Sequence, residues 1–159
     1  MEHDYTFDTA RLRFRPFVIA DVLALHQLEV EMSDGTEPLT EDELRLSLVE
    51  QIADDATLGF VGLHHGEFAV HARLRLERPP AGWTLGYSVT RHLRRRGYGS
   101  EAVRALTGFA QRELHCEEIL ARVEPGNTAS IELLRSLGFE ELASQHSPRW
   151  RLVFRWPEN

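Results

Sequence analysis

Between residues 57 and 124 the apolar residues change period from two to helical and back, and this restricts the fold more than any other feature of the chain. Phe68, Val70, Ala72, Leu74 and Leu76 alternate with Ala69, His71, Arg73, Arg75 and Glu77. That is the two-residue repeat of a strand with one buried and one wet face. The run Arg78-Pro79-Pro80-Ala81-Gly82 marks a turn, and Trp83, Leu85, Tyr87 and Val89 alternate again after it. Val103, Leu106, Phe109, Ala110 and Leu114 then recur at helical spacing over about 99–115. Ile119 to Glu124 reads as a strand once more, broken by Pro125-Gly126. A meander running into strand–helix–strand demands a mixed sheet, and its crossover is expected to be right-handed.

The flanking segments extend this pattern. Leu12, Phe14 and Pro16 predict a first strand near 10–16, and Val18, Val22, Leu25, Leu28 and Met32 a helix over about 19–32 ended by Asp34-Gly35. Thr40-Glu41-Asp42-Glu43 is a capping box opening a second helix with Leu44, Leu48 and Ile52 on one face. Thr57 to Leu63 is a strand turned at His64-His65-Gly66. A last helix over about 127–137 stops at Gly138, Phe139 begins another strand, and a final strand sets Trp150, Leu152, Phe154 and Trp156 against Arg149, Arg151, Val153 and Arg155. The predicted order is β-α-α-β-β-β-α-β-α-β-β, a mixed α/β (α+β) class. At 159 residues the chain is expected to form a single domain, 1–159.

Charge and cysteine usage narrow the function classes. The net charge of −7 opposes a nucleic-acid partner. The single cysteine, Cys116, allows no internal disulfide and reads as an inert buried thiol. The acidic start Met1-Glu2-His3-Asp4-Tyr5 has no apolar run behind it, so neither a signal peptide nor a membrane association is expected, and the expected location is cytoplasmic. No metal is expected, because the eight histidines include no H-x-x-x-H pair on a predicted helix.

The densest chemical signal is Arg94-Arg95-Arg96-Gly97-Tyr98-Gly99-Ser100, between a strand and a helix. The first turn of a helix leaves four amides without internal partners, at the positive end of its dipole. Glycines let the backbone close on a ligand, and arginines add charge, so the physical reading is a pyrophosphate cradle. Three other readings compete. Gly97-x-Gly99-x-x-Ala102 fits a dinucleotide fingerprint, but residues 90–96 intervene after Val89 where that fingerprint follows its strand directly. Arg91, Arg94, Arg95 and Arg96 could form a nucleic-acid patch, against the net charge and without interleaved aromatics. A softened loop with solvated arginines is the third.

Arg94-x-x-Gly97-x-Gly99 resembles the Q/R-x-x-G-x-G/A coenzyme A loop of the GCN5-related N-acetyltransferase (GNAT) superfamily. Asn127-Thr128-Ala129-Ser130, Leu133-Leu134 and Gly138-Phe139 resemble the N-x-x-S…L-L…G-F segment of the branch of RimJ/RimL-type ribosomal-protein serine and alanine N-terminal acetyltransferases. Leu85-Gly86-Tyr87-Ser88-Val89 and Arg11-Leu12-Arg13-Phe14-Arg15-Pro16 with Asp21 are similar to that branch too. The resemblance covers nearly the whole chain. It implies a splayed, mostly antiparallel sheet of about six or seven strands flanked by about four helices.

For function it implies an N-acetyltransferase moving an acetyl group from acetyl-CoA directly to a primary amine: a small-molecule amine, an amino-acid derivative or a protein N-terminus. By this resemblance Tyr87, Ser88, Val89, Arg94, Arg95, Arg96, Gly97, Tyr98, Gly99, Ser100, Asn127 and Ser130 hold coenzyme A. The amides of Arg95 to Ser100 face the pyrophosphate, and a backbone N–H near Ser88 or Val89 faces the thioester carbonyl as an oxyanion hole. Ser130 is the expected donor to the departing sulfur, because Leu134 stands where many relatives carry a tyrosine. Thr84 stands where many relatives carry a glutamate base. That leaves three routes open: Glu124, His64, His65 or His71 serves as base, water relays the proton outward, or the amine arrives partly neutral; it also keeps a non-catalytic coenzyme A-binding or sensor module as the alternative. Glu29, Glu37 and Thr84 are candidates for the amine pocket. A short tail beyond Phe139 argues against a ribosomal-protein substrate. Trp150 and Trp156 are expected to pack the sheet, or else to form a dimer surface in a monomer or homodimer.

Overall fold

In a computed structural model, which describes residues 3–33, 35–77, 82–142 and 152–156, the chain forms one eight-stranded mixed sheet. The elements are β1 (Phe7–Asp8), β2 (Arg13–Pro16), α1 (Val22–Met32), α2 (Glu41–Ala53), β3 (Thr57–His64), β4 (Glu67–Glu77), β5 (Gly82–Val89), α3 (Tyr98–Glu113), β6 (Ile119–Val123), α4 (Thr128–Ser136), β7 (Glu140–Leu142) and β8 (Leu152–Trp156). Spatial order is β1-β2-β3-β4-β5-β6-β8-β7. Pairing is antiparallel except for β5 with β6, the strands that α3 joins.

The predicted first strand is two strands. Thr9 N–H donates to the Leu12 carbonyl at 2.8 Å, so residues 9–12 form a turn that folds β1 onto β2. The predicted first helix begins with a 3-10 turn, Ile19–Asp21, and buries Val22, Leu25 and Leu28 but leaves Val18 and Met32 exposed. The capping box is present: Thr40 Oγ1 accepts from the Glu43 amide, and Glu43 Oε2 accepts from the Thr40 amide at 2.9 Å. Trp150 lies outside the described residues. Trp156 packs against Phe139, with ring centroids 5.1 Å apart.

Each face of the sheet has its own core. Phe14, Phe60, Val70, Leu74 and Leu85 meet Val103, Leu106 and Phe109 of α3 and Leu134 of α4. On the other face Val61 and Phe17 meet Val22, Leu25, Leu44 and Leu48 of α1 and α2. The reading of β4 as half wet holds at Arg73 and Arg75, which are exposed between buried Ala72 and Leu74, and is corrected in the first half of the strand. Ala69 is fully buried and His71 largely so, whereas Leu76, assigned to the buried set, is 46% exposed. The register slips at Gly62/Leu63, where Gly62 faces Val70 and Leu63 faces Phe68, so Ala69 is an extra, bulged residue. α1 and α2 then cover the face that alternation alone makes wet.

One ion pair anchors α1 to the sheet. Arg15 grips Asp21 with two hydrogen bonds of 2.8 and 2.7 Å, and Asp21 also accepts from the Val18 amide at 2.9 Å. Burial would raise the Asp21 carboxyl, but Arg15 and the Val18 amide outweigh it and hold it below the usual range. Such a depressed carboxylate stabilises the fold fully above its unfolded pKa near 4, and this is lost as pH falls through the lower folded value. Asp21→Asn should therefore cost about 2 kcal/mol in denaturant unfolding at pH 7 and much less at pH 2.5. An equal cost at both pH values would show that the charge is not what matters.

Candidate active site

The β5–β6 ladder pairs Trp83 with Ile119, Thr84 with Leu120 and Leu85 with Ala121, and ends there. β5 continues to Val89 and β6 to Val123, so the two strands part. From Gly86 onward β5 has an edge with no strand against it among the described residues. A cleft of about 1020 Å³ opens at this splay. Tyr87, Ser88 and Val89 line it from β5, and Glu124, Gly126, Asn127 and Ser130 line it from the far side. Arg94, Arg95, Gly97, Gly99 and Ser100 line its mouth between β5 and α3.

The mouth is shaped by backbone that few residue types tolerate. Arg95 and Gly97 take φ of +59° and +82°. Gly97 is the N-cap of α3 and brings no side chain to cap it, so the first-turn amides keep their hydrogen-bonding capacity for a ligand. Arg94 Nε reaches back to the Val89 carbonyl at 2.9 Å. A Cβ on Gly99 would stand 3.0 Å from Leu133 and 3.2 Å from Tyr87, so glycine lets α3 approach both.

The turn between β1 and β2 braces this loop. Arg11 Nε donates to Glu101 at 2.7 Å, its Nη1 donates to the Arg96 carbonyl at 2.8 Å, and its guanidinium lies 4.0 Å from the centre of the Tyr98 ring. Thr9 Oγ1 and the Arg11 amide also donate to Glu101. Arg96 and Tyr98, both assigned to coenzyme A, do not line the cleft: the Arg96 carbonyl and the Tyr98 ring meet Arg11, and the buried Tyr98 hydroxyl meets His64 Nε2 at 3.0 Å.

Tyr87 Oη and Ser130 Oγ are 3.1 Å apart in the cleft. The Ser130 amide donates to Asn127 Oδ1 at 3.2 Å, so Asn127 caps α4 and fixes Ser130 in its first turn. Burial pushes the Tyr87 phenol above its ordinary pKa, with Ser130 acting the other way, so the pair is a neutral hydroxyl couple able to donate a proton. Leu134 is fully buried in the core.

The remaining candidates scatter. Glu124 lines the cleft. Thr84 sits in the closed part of the ladder, its hydroxyl 3.3 Å from the Arg75 carbonyl, and lines neither the cleft nor the cavity beside it. Glu37 is exposed in the connection between α1 and α2 and lines neither the cleft nor the cavity beside it. His64 and His65 line a shallow hollow beside the β1–β2 turn. Glu29 and His71 line a second cavity of about 340 Å³, between α1, α2 and the β4–β5 face, which shares Tyr87 and Ser88 with the cleft. Burial, aided by Arg73 and opposed by Asp21, pushes His71 down to about 4, so it is neutral at pH 7.

Sequence reasoning missed the end of α1. Glu31, Met32 and Ser33 line the cleft, and Glu31 Oε2 accepts from the Arg91 amide at 2.8 Å. No local motif announces them, because their place depends on how α1 packs. Glu101 carried a legible signal: a carboxylate in the first turn of the helix after the glycines. Among the described residues no helix is long and apolar enough to cross a membrane, and no cluster of three or more His, Cys, Asp or Glu side chains is arranged for a metal.

A curated relative, the uncharacterized N-acetyltransferase p20 of Bacillus licheniformis, is 42% identical over 57 residues, which is 36% of this chain and 32% of the relative. The match thus spans about a third of that relative's length. A putative ribosomal-protein-serine acetyltransferase from Vibrio cholerae has a similar fold, with a TM-score of 0.83 at 18% identity over 99% of both chains. RimJ of Mycobacterium smegmatis, solved in complex with CoA-disulfide, aligns with a TM-score of 0.73 at 19% identity over 91% of this chain and 81% of its own. The family model described as the acetyltransferase (GNAT) domain matches residues 11–140. With the splayed strands and the glycine-capped helix falling inside that match, the chain belongs to the GNAT family of acetyltransferases.

Proposed function

We propose that this protein, working as one domain over 1–159, transfers an acetyl group from acetyl-CoA to a primary amine. The observation that carries this is the uncapped N-terminus of α3, which opens into the same cleft as the Tyr87–Ser130 hydroxyl pair. The residues fit the group: Gly97 and Gly99 line the mouth, the first-turn amides of α3 carry no side-chain cap, and Arg94 and Arg95 bring positive charge to the rim. The α3 amides and these arginines would hold the pyrophosphate, and the open edge of β5 would pair with the amide-bearing arm as a peptide adds to a sheet. Asn127 would bind the same arm, and an N–H near Ser88 or Val89 would face the acyl oxygen. Bound acetyl-CoA supplies an acetyl group already activated as a thioester.

Holding amine and thioester side by side supplies much of the rate. As the amine nitrogen bonds to the acetyl carbon and the carbon–sulfur bond breaks, Ser130, held by Tyr87, would pass its proton to the departing sulfur and regain one from water. Glu124, lining the cleft, is the carboxylate we assign to the amine's proton. The net charge of −7 favours a cationic acceptor in general terms, which suits small amines, amino-acid derivatives and N-termini alike.

Calorimetric titration with acetyl-CoA, coenzyme A and NAD tests the reading. We expect both coenzyme A forms to bind with Kd of about 1–100 μM and NAD not to bind. NAD binding would return the loop to the dinucleotide reading. Absence of coenzyme A binding would sink the proposal.

A further inference from the structure

A peptide unit that ends in glycine turns over with little steric cost, because glycine takes φ of either sign. The Arg96–Gly97 unit is of this kind, and it stands at the mouth of the cleft, which Arg95 and Gly97 line at positive φ. Its two faces are opposite in sign, since the carbonyl and the N–H of a trans peptide point in opposite directions. One orientation offers an anion a donor, and the other meets it with an oxygen.

Arg11 makes the choice from the far side of the loop. It lines the hollow beside the β1–β2 turn and not the cleft, and its Nη1 donates to the Arg96 carbonyl at 2.8 Å. The Gly97 N–H is thereby turned away from Arg11, and among the described residues it donates to no carbonyl. Arg11 is itself fastened. Its amide and its Nε donate to Glu101 at 2.8 and 2.7 Å, Thr9 Oγ1 donates to the same carboxylate, and the guanidinium lies on the Tyr98 ring. Burial would raise the Glu101 carboxyl, but Thr9 and Arg11 outweigh it and hold it below the usual range, so the anchor is an anion at neutral pH.

We propose that Arg11 is a positioning residue for the diphosphate: by holding the Arg96 carbonyl behind the loop, it aims the Gly97 N–H at the anion. The inference rests on the acetyl-CoA reading and adds to it a residue that does not touch the ligand. A guanidinium suits the task, because its fork of donors reaches a carboxylate and a carbonyl at once. Without it the unit turns over freely, and affinity falls with the fraction of molecules whose N–H faces the cleft. A loss of that kind touches only ligands that carry the diphosphate, whereas general damage to the fold weakens every ligand.

The test titrates wild type and Arg11→Met with coenzyme A and with pantetheine, which has the same arm and thiol but no diphosphate. Backbone amide NMR follows both, since it reaches millimolar affinities. Coenzyme A should move the Gly97 amide signal of wild type, and pantetheine should leave it in place. In Arg11→Met the coenzyme A Kd should rise about tenfold and the pantetheine Kd should stay within about twofold. Where pantetheine binds too weakly to titrate, the Gly97 signal decides: it should move far less in the variant saturated with coenzyme A. Should Arg11→Met fail to fold, judged by its melting curve, Glu101→Gln carries the same comparison. It takes the carboxylate from the guanidinium and keeps an oxygen for the Thr9 hydroxyl. Equal weakening of both ligands, an unchanged coenzyme A Kd in a folded variant, or a wild-type Gly97 signal that coenzyme A does not move would overturn the proposal alone. Failure of folded wild type to bind coenzyme A at all would overturn the acetyl-CoA reading and this inference with it.

Discussion

Gly97→Val should weaken acetyl-CoA binding by at least about a hundredfold, a loss of about 2.7 kcal/mol. Two effects act together. A β-branched residue at φ +82° is strained by about 1–2 kcal/mol and will pull the loop toward extended backbone. Its Cβ would also stand 3.3 Å from Arg11 Nη2, so it presses on the side chain that ties the loop to Glu101. Either movement turns the α3 amides from a common focus, and convergence is what makes a helix N-terminus an anion site. Gly138→Val is the control. It carries φ of +92°, with nothing within 4 Å of an added Cβ, and lies outside the cleft lining. It should lose stability and keep acetyl-CoA affinity. Equal loss of binding in both variants would show that general destabilisation, not the cradle, controls affinity.

Ser130→Ala should lower kcat by about a hundredfold while the acetyl-CoA Kd stays within about twofold. The Ser130 amide, not its hydroxyl, is what Asn127 Oδ1 receives, so alanine keeps the helix start intact. Only the hydroxyl 3.1 Å from Tyr87 is lost. Burial holds the Tyr87 phenol protonated across the working pH range, so it remains a donor toward Ser130. Tyr87→Phe should therefore reduce kcat by a smaller factor, about tenfold. The double variant should be no slower than Ser130→Ala, because groups acting as one unit are not additive. A double variant slower by the product of the two factors would show that the hydroxyls work separately. Unchanged kcat in Ser130→Ala would remove Ser130 from the chemistry.

The site was legible to the extent that it is local. The Arg94–Ser100 loop, Asn127 and Ser130 stand out because each does its work through a neighbour a few residues away: an N-cap, a first-turn amide, a left-handed glycine. Arg96 and Tyr98 look the same in sequence, yet neither lines the cleft, and the Arg96 carbonyl and the Tyr98 ring meet Arg11. Loop direction is set by Arg11 and Glu101, which approach from elsewhere in the chain. Glu31 lines the cleft from the end of a helix whose apolar spacing says nothing about the loop it touches. His71 reads as a solvent-facing residue of an alternating strand, and burial under α1 and α2 makes it a neutral imidazole whose Nε2 has no hydrogen-bond partner among the described residues.

From its residues alone the chain determined its order of strands and helices apart from the split first strand, the capping box that starts α2, and the strand–glycine–helix segment that can cradle a diphosphate. These follow from side-chain period and short-range hydrogen bonding, which act over a few residues whatever surrounds them. Tertiary structure decided the rest. The β5–β6 ladder stops at Leu85 and opens the cleft, the bulge at Ala69 re-aims β4, and α1 with α2 closes a second cavity over His71. Each depends on register and packing between segments far apart in sequence, where a shift of one residue exchanges the buried face for the exposed one.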